Sequence, residues 1–153
     1  MATDRRAEVT WEGSLTEGSG TIETVGSGAF GPLDVSWPAR AEDQRAETSP
    51  EELLAAAHAG CFGMSLAGEL TAAGSPPERL DVTCTVTMDE VEGKGHVIVD
   101  STLEAAARVP DADGDLFRRA VEAADDGCSL SQLIRASASV SVNARLEGGH
   151  DGD

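Results

Sequence analysis

The sequence predicts an α+β fold, in which strands and helices occupy separate stretches of one chain. Three observations lead there: short β-rich segments broken by glycine turns in the first third, one long apolar helix with a strong start signal, and a later run of apolar/polar alternation. The 153 residues suit one domain or one subunit of an intertwined oligomer, and 40% hydrophobic content is enough for a core. Residues 1–146 are assigned to that domain, and residues 147–153 to an acidic tail whose composition favours disorder.

Taken in order, β segments are expected at Ala7 to Trp11, around Gly20 to Val25 and near Leu33 to Trp37, with a polar loop from Ala39 to Thr48. Ser49-Pro50-Glu51-Glu52 then offers an N-cap, a proline at the first helical position and a glutamate three residues past the cap. That helix should run to about Ala73, where Gly74 and Pro76-Pro77 stop it. Its apolar residues cover nearly every face, which predicts burial on all sides. Gly60, Gly63, Gly68, His58 and Glu69 interrupt the run, and basic and aromatic anchors are missing from its flanks, so a membrane span is not expected. Leu80 to Asp89 alternates as a half-buried strand with Val82, Cys84, Val86 and Met88 on one face. Gly93 to Gly95 turns it into an antiparallel partner, His96 to Val109. An amphipathic helix over Asp113 to Asp126, a short turn or helix over Cys128 to Ile134 and a strand from Ala136 to Leu146 complete the chain.

Net charge is −17, from 28 acidic against 11 basic residues, of which Lys94 is the single lysine. Nucleic acid is excluded as an expected partner, because phosphate binding needs clustered Lys or Arg. Two origins fit this acidity, a high-salt cytoplasm and a compositional bias. The opening MATDRRAEVT is charged where an export signal needs an apolar stretch, so a reducing cytoplasm is the expected location. Three cysteines, an odd number, fit reactive or buried thiols better than a secreted disulfide framework.

Of these, Cys128 lies at a Gly-Cys-Ser junction between helices, where backbone amides are free, and Cys61 is flanked by Gly60 and Gly63, which leave room beside it. Cys84 takes an inward strand position and reads as core. His58, three residues before Cys61, could begin a metal site, but no second paired ligand motif accompanies it, so neither a metal nor a cofactor is expected. Phosphate-loop, dinucleotide and serine-hydrolase motifs are likewise missing from the sequence.

The stretch Ser49-Pro-Glu-Glu-Leu-Leu-Ala-Ala-Ala-His-Ala-Gly-Cys61-Phe resembles the signature of the OsmC/Ohr family, and Gly127-Cys128-Ser-Leu-Ser131 resembles its second-cysteine motif. The resemblance covers about Ala7 to Leu146. Two positions depart from the usual pattern: Gly60 stands for alanine, and Ser129 for proline, the latter implying a looser loop around Cys128. The resemblance implies antiparallel sheets around a long buried central helix in an intertwined homodimer. It also implies a peroxidase that reduces organic hydroperoxides, and hydrogen peroxide less well. Cys61 would attack the peroxide, Cys128 would resolve the sulfenic acid as a disulfide, and an external dithiol such as dihydrolipoamide or a lipoylated protein would reopen it.

Such chemistry needs a thiolate, and a free cysteine with a pKa near ~8.5 is only slightly ionised at neutral pH. Cys61 lies about three turns into its helix, where the dipole helps little, so a cation is expected beside it. Family pattern and position point to Arg40, with Arg45 as the second choice, and to Glu51 as the carboxylate that holds it. Ten residues of helix span about 15 Å, so Glu51 cannot serve Cys61 of its own straight helix. An antiparallel second copy could bring them together across a dimer interface. Phe62, Met64 and Leu133 are candidates for the substrate surface. The OsmC branch is favoured over Ohr because Arg40 follows the third strand, whereas Trp11 to Gly31 holds no arginine. The competing functional class is a redox-sensing or binding protein with reactive thiols and no turnover.

Overall fold

The computed structural model describes residues 1–42 and 46–148. The chain groups into two compact units, Met1–Leu53 and Leu54–Asp153.

In the first unit, β1 (Val9–Glu12), β2 (Ser19–Ile22) and β3 (Leu33–Val35) form an antiparallel sheet in the order β1-β2-β3. Trp11 pairs with Gly20, and a Cβ on that glycine would sit 2.6 Å from the indole ring, so the aromatic face needs glycine beneath it. The expected polar loop instead opens with a short helix, α1 (Trp37–Ala41), because Ser36 caps it by accepting from the Ala39 amide (3.2 Å) and Pro38 fits its first turn.

The long helix α2 (Pro50–Ala72) begins as the sequence predicts, with the Ser49 hydroxyl accepting from the Glu52 amide at 3.1 Å. The Glu52 carboxylate takes the Thr48 hydroxyl (2.8 Å). At the other end Gly74 adopts φ +82° and the Ser75 amide returns to the Leu70 carbonyl (2.9 Å), a left-handed glycine stop.

In the second unit, β4 (Arg79–Val91) and β5 (Gly95–Arg108) form the expected antiparallel hairpin. Leu80, Val82, Cys84, Val86 and Met88 are half-buried, while the residues between them are exposed. After α3 (Gly114–Gly127) and α4 (Ser129–Arg135), the last strand β6 (Ser139–Leu146) pairs with β5 in parallel, so this sheet is mixed where antiparallel pairing was expected. Two intervening helices supply the long crossover that a parallel neighbour requires. Glu147 and Gly148 make a turn in which the Glu147 amide bonds the Ala107 carbonyl (2.8 Å). The rest of the expected tail, 149–153, lies outside the described residues.

The core joins Phe62, Leu66 and Leu70 of α2 to Leu103, Ala105 and Ala107 of β5 and to Phe117, Ala120 and Ala124 of α3. His58, Phe62, Leu66 and Leu70, four residues apart, are all fully buried. Burial on all sides is not what the chain shows, however. Ala56, Ala57, Gly60, Met64 and Gly68 are exposed, so α2 has a buried stripe and an open face of small residues. By length and composition α2 could cross a membrane, yet its inner stripe is committed to this core.

Candidate active site

Cys128 is at once the residue that ends α3 and the N-cap of α4, with φ −75° and ψ 113°. An extended residue between two helices points its side chain inward here, and Cys128 is fully buried. Its sulfur accepts from the Ser131 amide at 3.4 Å, a thiol in the role usually taken by a serine or aspartate oxygen. Ser129, which stands where the family motif usually has proline, is the first residue of α4.

Cys61 lies half-buried on α2, and the Cys128 thiol donates to its sulfur at 3.3 Å. Ser65, one turn further along, donates to the Ala124 carbonyl (2.8 Å) and ties α2 to the last turn of α3. The Ser129 hydroxyl is 3.6 Å from Cys61 Sγ. Burial pushes the Cys61 thiol up, but donors from the Leu130 amide, the Ser129 hydroxyl, the Cys128 thiol and the Ser129 amide outweigh it and leave its pKa below the ordinary cysteine value. Sequence reasoning missed these donors. The one available signal was the Gly-Cys-Ser junction with its free amides, which placed Cys128 but not what its neighbours would touch.

Beneath this pair, His58 is fully buried, with Nδ1 2.7 Å from the Ser101 hydroxyl and Nε2 2.8 Å from the Ser131 hydroxyl. One ring nitrogen donates and the other accepts, so the neutral ring is satisfied at both ends. Burial lowers its pKa, with Asp125 opposing and Arg135 assisting. His58 thus links α2, β5 and α4. Cys84 sits beside it, 3.7 Å from Nδ1 and 3.2 Å from the Ser101 hydroxyl, and burial pushes its thiol up. This is the packed, less reactive environment expected of a structural cysteine.

In the first unit the Arg40 guanidinium straddles one oxygen of Glu51, Nε at 3.0 Å and Nη2 at 2.9 Å from Oε1. The Glu51 side chain is nearly buried and Arg40 about one-third exposed, so the pair is better shielded than a surface ion pair. Oε2 of Glu51 is buried with no hydrogen-bond partner among the described residues. Arg45, the second arginine candidate, lies outside the described residues. Of the three substrate-surface candidates, Met64 and Leu133 are exposed. Phe62 is not: it is fully buried within the core, because it falls on the inner stripe of α2 one residue past Cys61.

A sequence profile of the family described as OsmC-like protein matches residues 41–143, a span that includes α2 and both paired cysteines. The chain belongs to the OsmC-like family. It is 35% identical over 136 residues to the peroxiredoxin OsmC of Escherichia coli K12, an alignment covering 89% of this chain and 93% of that one. The Shigella flexneri peroxiredoxin OsmC matches equally well. Among solved structures, the organic hydroperoxide resistance protein OhrB of Bacillus subtilis aligns with a TM-score of 0.68 at 24% identity, over 92% of this chain and 98% of that one. An OsmC-like protein from Mycoplasma pneumoniae aligns with a TM-score of 0.69 at 14% identity, over 97% and 100%. These two likenesses establish the OsmC-like α+β fold.

Proposed function

We propose that this OsmC-like protein is a cytoplasmic thiol peroxidase that reduces organic hydroperoxides, and hydrogen peroxide less well, through Cys61 and Cys128. The observation that carries the reading is the 3.3 Å approach of the two sulfurs, one with a lowered pKa and the other fully buried behind it. A curated relative named peroxiredoxin, 35% identical over most of both chains, supports the reaction class.

In the first step the Cys61 thiolate attacks one oxygen of the hydroperoxide and the O–O bond breaks. Sulfur is oxidised to the sulfenic acid, and the departing alkoxide takes up a proton to leave as alcohol. The Cys128 thiol then condenses with the sulfenic acid, forming the disulfide and releasing water. Little movement is needed, because the sulfurs already touch. An external dithiol, such as dihydrolipoamide or a lipoylated protein, reopens the bond by exchange and is itself oxidised to a disulfide.

Arg40, held by Glu51, is proposed as the cation that steadies thiolate and departing oxygen. The exposed small-residue face of α2 supports a homodimer in which two copies of the helix pack antiparallel and the Arg40–Glu51 pair of one subunit serves Cys61 of the other. Met64 and Leu133, exposed and apolar, are proposed to meet the alkyl part of the substrate.

The test is consumption of cumene hydroperoxide with dihydrolipoamide or dithiothreitol, comparing the native chain with Cys61→Ser and Cys128→Ser. Turnover lost in Cys61→Ser, with Cys128→Ser impaired and prone to overoxidation, is the expected result. Stoichiometric thiol oxidation without cycling would instead assign the protein to redox sensing.

A further inference from the structure

We propose that Ser129 is an activating residue for Cys61, its hydroxyl donating a hydrogen bond to the nucleophilic sulfur. Three observations support this. The hydroxyl lies 3.6 Å from Cys61 Sγ, and among the described residues that is its one recorded hydrogen bond. The usual helix-start role of a serine oxygen, accepting from a first-turn amide, is already filled by the Cys128 sulfur, which accepts from Ser131. Ser129 is also exposed, so its hydroxyl contributes little to packing and is free to rotate toward sulfur.

The lowered Cys61 pKa has the same origin, since the hydroxyl and the amide of Ser129 are two of the donors that outweigh burial. A proline at this position, the usual residue in the motif that Gly127-Cys128-Ser129 resembles, has neither an N–H nor a hydroxyl. This chain therefore gains two neutral donors at one position, and they act on a half-buried sulfur where water competes only in part. The consequence for turnover rests on the peroxidase reading above, whereas the effect on the thiolate is measurable without any peroxide.

The experiment follows iodoacetamide alkylation of Cys61 against pH, resolved by mass spectrometry of its own peptide, in the native chain and in Ser129→Ala, Ser129→Thr and Ser129→Pro. Ser129→Ala should raise the midpoint and slow alkylation at pH 7 by about threefold to tenfold, the range for losing one hydrogen bond to a partly solvated charge. Ser129→Thr, which keeps the hydroxyl, should stay close to native. Ser129→Pro should shift the midpoint at least as far as Ser129→Ala, and the first helical position accepts proline without loss of fold. Alkylation of Ser129→Ala within twofold of native overturns the proposal, and this variant decides alone because it removes only an exposed hydroxyl. A shifted midpoint in a protein that fails to turn over hydroperoxide keeps the role of Ser129 and removes the peroxidase reading; native-like alkylation in an active enzyme does the reverse.

Discussion

Cys61 sits in mid-helix, where its own helix dipole contributes little, and its sulfur is instead surrounded by hydrogen-bond donors from the start of α4. The consequence is a pH profile with a definite sign. A depressed pKa means that the Cys61 thiolate persists to lower pH than that of an ordinary cysteine. Alkylation of Cys61 should therefore show a lower midpoint than alkylation of Cys84, so that at pH 7.5 Cys61 is labelled first. Peptide-resolved labelling reads both sites in one experiment. His58 gives a second prediction. Its folded pKa lies below the unfolded value of about 6.5, so the unfolded chain binds the proton first and stability is lost as pH falls from that value toward the folded pKa. Thermal midpoints should drop between pH 7.5 and 5.5, and His58→Asn should flatten that part of the curve. Both cysteines were legible in the sequence as a motif at fixed spacing. The Ser129 and Leu130 donors were not, because they depend on how the first turn of α4 lies against α2. Nor was the placement of Phe62, whose neighbour Cys61 faces the site while it faces the core.

Local signals wrote the elements best where they act alone. Ser49, Pro50 and Gly74 mark both ends of α2, and replacing the cap with Ser49→Ala should cost about 1 kcal/mol in denaturant unfolding. Strict alternation found β4, and the glycine turn found its hairpin with β5. The parallel pairing of β6 was hidden, since alternation in a strand states which face is buried and not which way its neighbour runs. The burial of α2 was overestimated for a related reason. An all-apolar helix predicts cover on every face, whereas the chain itself covers only the stripe at His58, Phe62, Leu66 and Leu70. Two substitutions separate the faces. Leu66→Ala, in the core, should lower stability by roughly 2–5 kcal/mol. Ala57→Arg, on the open face, should leave the subunit folded and dissociate the proposed dimer, which sedimentation would show as a fall in mass toward the 15.8 kDa of one chain.

At the scale of the whole molecule, composition speaks to solvent and the site speaks to chemistry. With 28 acidic residues against 11 basic, mutual repulsion opposes the folded state at low ionic strength. Raising potassium chloride from 0.1 to 2 M should therefore raise the thermal midpoint, whichever origin the acidity has. The two compact units carry different parts of the proposed machinery: the Arg40–Glu51 pair belongs to the first, and the Cys61–Cys128 pair with its His58 support belongs to the second. Family membership rests on a match that runs through both cysteines, and the proposed reaction rests on their contact. The most direct test of that reaction adds one equivalent of cumene hydroperoxide to the reduced protein and maps the products by mass spectrometry. The expected result is an intact mass lower by two hydrogens, a disulfide joining the Cys61 and Cys128 peptides, and a free Cys84 thiol. Sulfinic acid at Cys61 with Cys128 still reduced, or no change at either residue, would contradict it.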